Sequence, residues 1–179
     1  MADMQHRNES HGNWRDAGES LPGVSLARSC QIDLPRASQP ASGDLRLFIG
    51  WPDTPPPPEG WPVLWVLDGN RNFPLALFSA RTQALRPALT HVVPALVVGV
   101  GYADAGSARD LRLRDYTPPG PRANLRPRPN GRPWTETGGA PAFLELLAGQ
   151  IMPLIAARWP VNPARQTLFG HSMGGLFAL

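Results

Sequence analysis

The chain has 179 residues, of which 42% are hydrophobic and 17% charged. That balance excludes a wholly disordered polymer, which needs low hydrophobicity and high charge. The 22 prolines and 18 glycines exclude a compact helical bundle, and the formal charge of +3 is carried without a single lysine, all 17 basic residues being arginine.

Residues 1–20 are polar and lack an apolar segment of the secretory type, so they read as a flexible leader ahead of a domain spanning 21–179. Residues 24–34 are strand-like, with Val24, Leu26, Cys30 and Ile32 as inward candidates. In 44–50, Leu45, Leu47 and Ile49 alternate onto one face. The Ser/Pro/Gly-rich link 36–43 predicts an antiparallel hairpin between the two. Prolines 55–58 follow as a surface loop.

Val63 to Leu67 is continuously apolar, as in a strand buried on both faces of a parallel sheet. Asp68, Gly69 and Asn70 read as the turn that ends it, and residues 73–86 as an amphipathic helix using Phe73, Leu77, Phe78, Ala84 and Leu85. A second buried strand spans 95–100. An Arg/Pro-rich loop then covers 101–137, where Arg109, Arg112, Arg114, Arg122, Arg126, Arg128 and Arg132 outnumber Asp104, Asp110 and Asp115. Residues 141–159 carry a helical stripe of Phe143, Leu146, Leu147, Ile151, Leu154 and Ile155, with a break expected at Pro153. A third strand over 166–170 feeds a final short helix. Strands alternating with helices predict an α/β fold: a mostly parallel sheet with an antiparallel N-terminal hairpin and helices on both faces.

Gly170-His171-Ser172-Met173-Gly174 has the spacing of a nucleophile elbow, placed where it should be, between a strand and a helix. The tight turn needs small residues at Gly170 and Gly174. It lifts the Ser172 hydroxyl clear of the sheet and aims the Met173 N–H at an oxyanion. A second oxyanion donor is expected from the turn after an earlier strand, the backbone N–H of Gly69 or Asn70. His171 is a poor base for its own neighbour, because adjacent side chains on such a turn diverge. Cys30 is alone, so there is no disulfide framework and no Cys-pair metal site, and no cofactor is expected. Nothing approaches the length of a membrane helix. The basic loop lacks the interleaved aromatics of a nucleic-acid surface. The default compartment is cytoplasmic.

The segments Leu67-Asp68-Gly69-Asn70, Val98-Gly99-Val100-Gly101-Tyr102, Asp115-Tyr116-Thr117-Pro118 and Gly170 to Gly175 together resemble the α/β-hydrolase siderophore esterases. The resemblance implies Ser172-dependent hydrolysis of a catecholate trilactone siderophore, an anionic ferric complex taken as a small-molecule substrate. It also implies that Arg112 faces the substrate cleft; the alternative is that Arg112 merely pairs with Asp115. A general carboxylesterase, an S-formylglutathione hydrolase-like enzyme and a non-catalytic binder of anions are the competing readings. In this fold the catalytic acid and histidine follow the serine, and within these residues neither does. The expectation is therefore the N-terminal two-thirds of an α/β-hydrolase, inactive by itself, with strand 166–170 as an exposed edge and poor solubility.

Overall fold

The computed structural model describes residues 25–36, 43–121, 131 and 135–179. The expected leader, Val24, most of the first hairpin's link, and Arg122, Arg126, Arg128 and Arg132 lie outside the described residues. Five strands form one sheet: β1 (Ser29–Leu34), β2 (Leu45–Gly50), β3 (Trp61–Leu67), β4 (Leu96–Tyr102) and β5 (Val161–Phe169), in the order β1-β2-β4-β3-β5. β1 and β2 form the expected antiparallel hairpin and join β4 antiparallel, while β4, β3 and β5 run parallel. The continuous apolar strands are central: every residue of β4 is buried. Cys30, expected to point inward, is instead exposed; β1 is one edge strand, β5 being the other as expected, and only Ile32 and Leu34 of β1 pack against the core.

Helices cover both faces. α1 (Gly69–Ala84) lays Phe73 and Leu77 on Val66 and Val97, each burial favouring the fold by about 1.5–3 kcal/mol. Phe78 and Leu85, expected on this face, are 67% and 79% exposed. Position 78 is five residues from 73, roughly 140° around the helix, and Leu85 falls at the C-cap. α1 also begins four residues earlier than the periodicity suggested, because Gly69 to Asn72 form its first turn.

After the short α2 (Pro87–Thr90), β4 leads to α3 (Ala108–Asp115), a helix inside the stretch read as a loop. Its buried positions, Leu111, Leu113 and Asp115, are spaced by two and so hide the helical period. On the sheet face opposite α1, Phe143, Leu147, Ile151 and Ile155 form one buried stripe, in the same core cluster as Leu111. It runs through α4 (Ala140–Leu146), a π-helical turn (Leu147–Ile151) and α5 (Met152–Ala156). The break expected at Pro153 takes this form: proline has no N–H for the i−4 carbonyl and its ring crowds that carbonyl, and the wider turn relieves both.

β5 is longer than expected. Trp61 pairs with Val161 and Val63 with Gln166, so two steps on β3 face five on β5, and the bulge holds Pro163 where no ladder bond is needed. Trp65 Nε1 donates to Gln166 Oε1 at 2.7 Å and ties the two strands. The six-residue α6 (Met173–Ala178) follows. No helix among the described residues is long and apolar enough to cross a membrane.

Candidate active site

From β3 the chain crosses to β4 on one side, then returns to β5 on the other. Such a reversal leaves a crevice at the carboxyl ends of the strands. Asp68 follows β3, Tyr102 ends β4, and His171 and Ser172 follow β5. These residues meet there, lining a cleft of about 300 Å³ together with Asn70, Arg71, Ala108, Arg109 and Arg112.

Ser172 has φ 57° and ψ −115°, a backbone conformation that glycine adopts freely and side-chain-bearing residues disfavour. Strain of this kind holds the side chain of an elbow serine out from the turn, and Ser172 is exposed. The amide of Gly174 donates to the His171 carbonyl and that of Leu176 to the Ser172 carbonyl, both at 3.0 Å. The Met173 N–H, at the first position of α6, has no intrahelical acceptor. A Cβ at Gly170 would run into the Gly174 carbonyl, as the small-residue spacing requires. At Gly174 the crowding is milder and comes from side chains, Leu67 Cβ at 3.3 Å and an Asp68 carboxylate oxygen at 3.5 Å.

The turn after β3 is held from several directions. Asp68 sits in the left-handed region, φ 55°, ψ 46°, and its carbonyl accepts from the amides of Arg71 and Asn72 at 2.9 Å each. The Asn72 carboxamide donates to the Leu67 carbonyl at 3.0 Å. Gly69 leaves no room for a side chain, since a Cβ would lie 2.7 Å from the Gly99 backbone. Asn70 uses its side chain on β4, donating Nδ2 to the Tyr102 carbonyl at 2.8 Å and accepting the Tyr102 amide at 2.7 Å. The backbone N–H groups of Gly69 and Asn70 are the first two amides of α1 and have no intrahelical acceptors.

Arg112 pairs neither with Asp115 nor with solvent alone. Its Nε and Nη2 donate to the two oxygens of Asp68 at 2.6 and 2.7 Å, and its guanidinium lies 5.6 Å from the centre of the Tyr116 ring. The bonds to Asp68 hold the Arg112 guanidinium above its ordinary range. The Tyr116 hydroxyl in turn accepts the Asp68 N–H at 3.2 Å. Asp115 is 2% exposed and belongs to a different set. It accepts from the Tyr102 hydroxyl at 3.0 Å, from Arg36 at 2.8 Å and from Arg114 Nε at 2.9 Å. Burial pushes both tyrosine hydroxyls well above the usual range.

From sequence Asp68 reads as a turn residue, and the expected site includes none of Arg71, Arg109 and Tyr102. The Asp-Gly-Asn run was the available signal for Asp68, and the Val-Gly-Tyr run for Tyr102. For Arg71 there was none beyond its place one residue after Asn70. His91 caps α2 in the left-handed region, a structural position.

A family model described as "Putative esterase" matches residues 38–179. The ferri-bacillibactin esterase BesA of Bacillus subtilis (strain 168) is 44% identical over 133 residues, 74% of this chain and 46% of that protein. An apo-salmochelin esterase of Escherichia coli O6:H1 is 33% identical over 136 residues, 75% of this chain and 41% of that one. The crystal structure of the BES protein from Bacillus cereus superposes with a TM-score of 0.78 at 33% identity, covering 88% of this chain and 58% of the other. The chain thus spans about half the length of the curated relatives it matches.

Proposed function

The chain belongs to this esterase family, and from that premise we propose that it carries the nucleophile half of a serine esterase for siderophores. The observation that carries the proposal is the strained Ser172 backbone, opening on a cleft that Asn70 and Arg112 also line. Ser172 Oγ attacks the carbonyl carbon of an ester. The Met173 N–H, with that of Gly69 or Asn70, stabilises the oxyanion that forms. Collapse of the intermediate expels the alcohol, which takes a proton, and leaves an acyl-serine that water hydrolyses to the carboxylic acid and free Ser172. The relatives' names, ferri-bacillibactin and apo-salmochelin esterases, support a siderophore as substrate. Arg71 and Arg109 along the cleft, beside an Arg112 whose charge Asp68 balances, support an anionic one, such as a ferric tris-catecholate trilactone.

Proton transfer needs a base that these residues do not contain, because no histidine follows Ser172 in them. The 179-residue polypeptide by itself is therefore proposed to lack turnover, since losing the base of such a site costs on the order of a million-fold. The test compares it with a chain in which the same residues are followed by an acid and a histidine. Each is offered a ferric catecholate trilactone and a short-chain nitrophenyl ester, with Ser172→Ala as control. Ser172-dependent cleavage in the longer chain, preferring the trilactone, is expected. Activity that survives Ser172→Ala overturns the nucleophile, and equal or better cleavage of the simple ester favours a general esterase. Anion binding without cleavage in either chain favours a binding protein.

A further inference from the structure

A helix that begins just after an aspartate ordinarily has that carboxylate as its N-cap, accepting the amide of the second or third residue. Asp68 stands immediately before α1 but makes no side-chain cap bond. Both of its oxygens are given to Arg112, 44 residues along the chain. The second residue of α1 is Asn70, whose N–H is one of the two groups proposed above as oxyanion donors.

We infer that Arg112 is a positioning residue: it withdraws the Asp68 carboxylate from the first turn of α1, so that the Asn70 amide stays open to the substrate. Two forces act against it. The left-handed backbone of Asp68 is disfavoured for a residue with a side chain, and a cap bond would stabilise the helix start. Both pull Asp68 toward the ordinary N-cap conformation. Arg112 opposes them with a bidentate charged pair, and Tyr116 assists by stacking under the guanidinium and accepting the Asp68 N–H. The pair also places a cation against a carboxylate that lies beside the elbow, 3.5 Å from where a Cβ on Gly174 would sit. A bare carboxylate at that point would oppose a developing oxyanion.

The inference rests on the oxyanion role of Asn70, so its test reads the amide and not catalysis. Amide hydrogen exchange is followed in the 179-residue chain by NMR for wild type, Arg112→Gln, Arg112→Lys and the double variant Arg112→Gln with Asp68→Ala. Arg112→Gln is expected to slow exchange at Asn70 about tenfold as the freed carboxylate caps it. The double variant, with no carboxylate to cap, returns to the wild-type rate, and Arg112→Lys lies between. Unchanged exchange at Asn70 in Arg112→Gln overturns the inference. So does faster exchange spread over Val98 and Val100 of β4, which marks a purely structural role. Should Arg112→Gln not fold, Arg112→Lys alone decides, slowed exchange supporting the inference and an unchanged rate overturning it. A failed Ser172 assay leaves these rates as they are, so the two readings fail separately.

Discussion

Replacing the proposed nucleophile with glycine should stabilise the protein. At φ 57° and ψ −115°, Ser172 pays for its position with backbone strain of about 1–3 kcal/mol. Glycine removes that strain but loses about 0.5–1 kcal/mol more conformational entropy on folding. The balance favours Ser172→Gly by about 1 kcal/mol, or about 2–4 °C in the melting temperature of a domain this size. Ser172→Ala is the control: it keeps the Cβ and hence the strain, and gives up an exposed hydroxyl that caps nothing. Its stability should stay within about 0.5 kcal/mol of wild type. Urea unfolding of the three proteins followed by circular dichroism gives the order directly. A glycine variant equal to or less stable than the alanine variant would mean that the elbow stores no strain.

Asp115→Ala takes one carboxylate partner from Arg36 and Arg114, whose side chains are only 10% and 13% exposed, and an acceptor from Tyr102. The expected loss is about 1.5–3 kcal/mol in the unfolding free energy from urea titration, with Asp115→Asn losing less because it keeps an acceptor; a loss under about 0.5 kcal/mol counts against the network. Alkaline pH should unfold the protein in one step. Tyr102 and Tyr116 are the two tyrosines, and there is no lysine. Burial raises both hydroxyls, so above about pH 10 the folded state binds protons that the unfolded state has released. That stabilisation is complete below pH 10 and declines above it by about 2.7 kcal/mol per pH unit for the pair. Absorbance at 295 nm and ellipticity should change together, whereas a smooth tyrosine titration near pH 10 with ellipticity intact contradicts the burial argument.

The elements that could be read in advance are those whose burial is written locally. β3 and β4 are uninterrupted apolar runs because strands on both sides and two helical layers cover them, and the Phe143–Ile155 stripe repeats at helical spacing. α3 stayed hidden because Asp115 is buried by partners elsewhere in the chain, Arg36 and Tyr102. The start of α1 was missed because Asp-Gly-Asn has turn composition, and the first turn it forms is stabilised by β4 through Asn70. The elbow spacing could be read since its sterics lie within five residues. The Asp68–Arg112 pair could not, because an ion pair between elements 44 residues apart leaves no periodic trace.

The pairing of β3 with β5 has a kinetic side. Trp61 meets Val161 one hundred positions later, whereas β3 and β4 are joined through α1 and the short α2 alone. Closing so long a loop costs more entropy before any contact rewards it, and folding slows with such separations. The Asp68 turn can form with the early β3–α1–β4 unit, but the Ser172 turn must wait for β5 to dock. The two sides of the cleft then mature in sequence, with the strained one last.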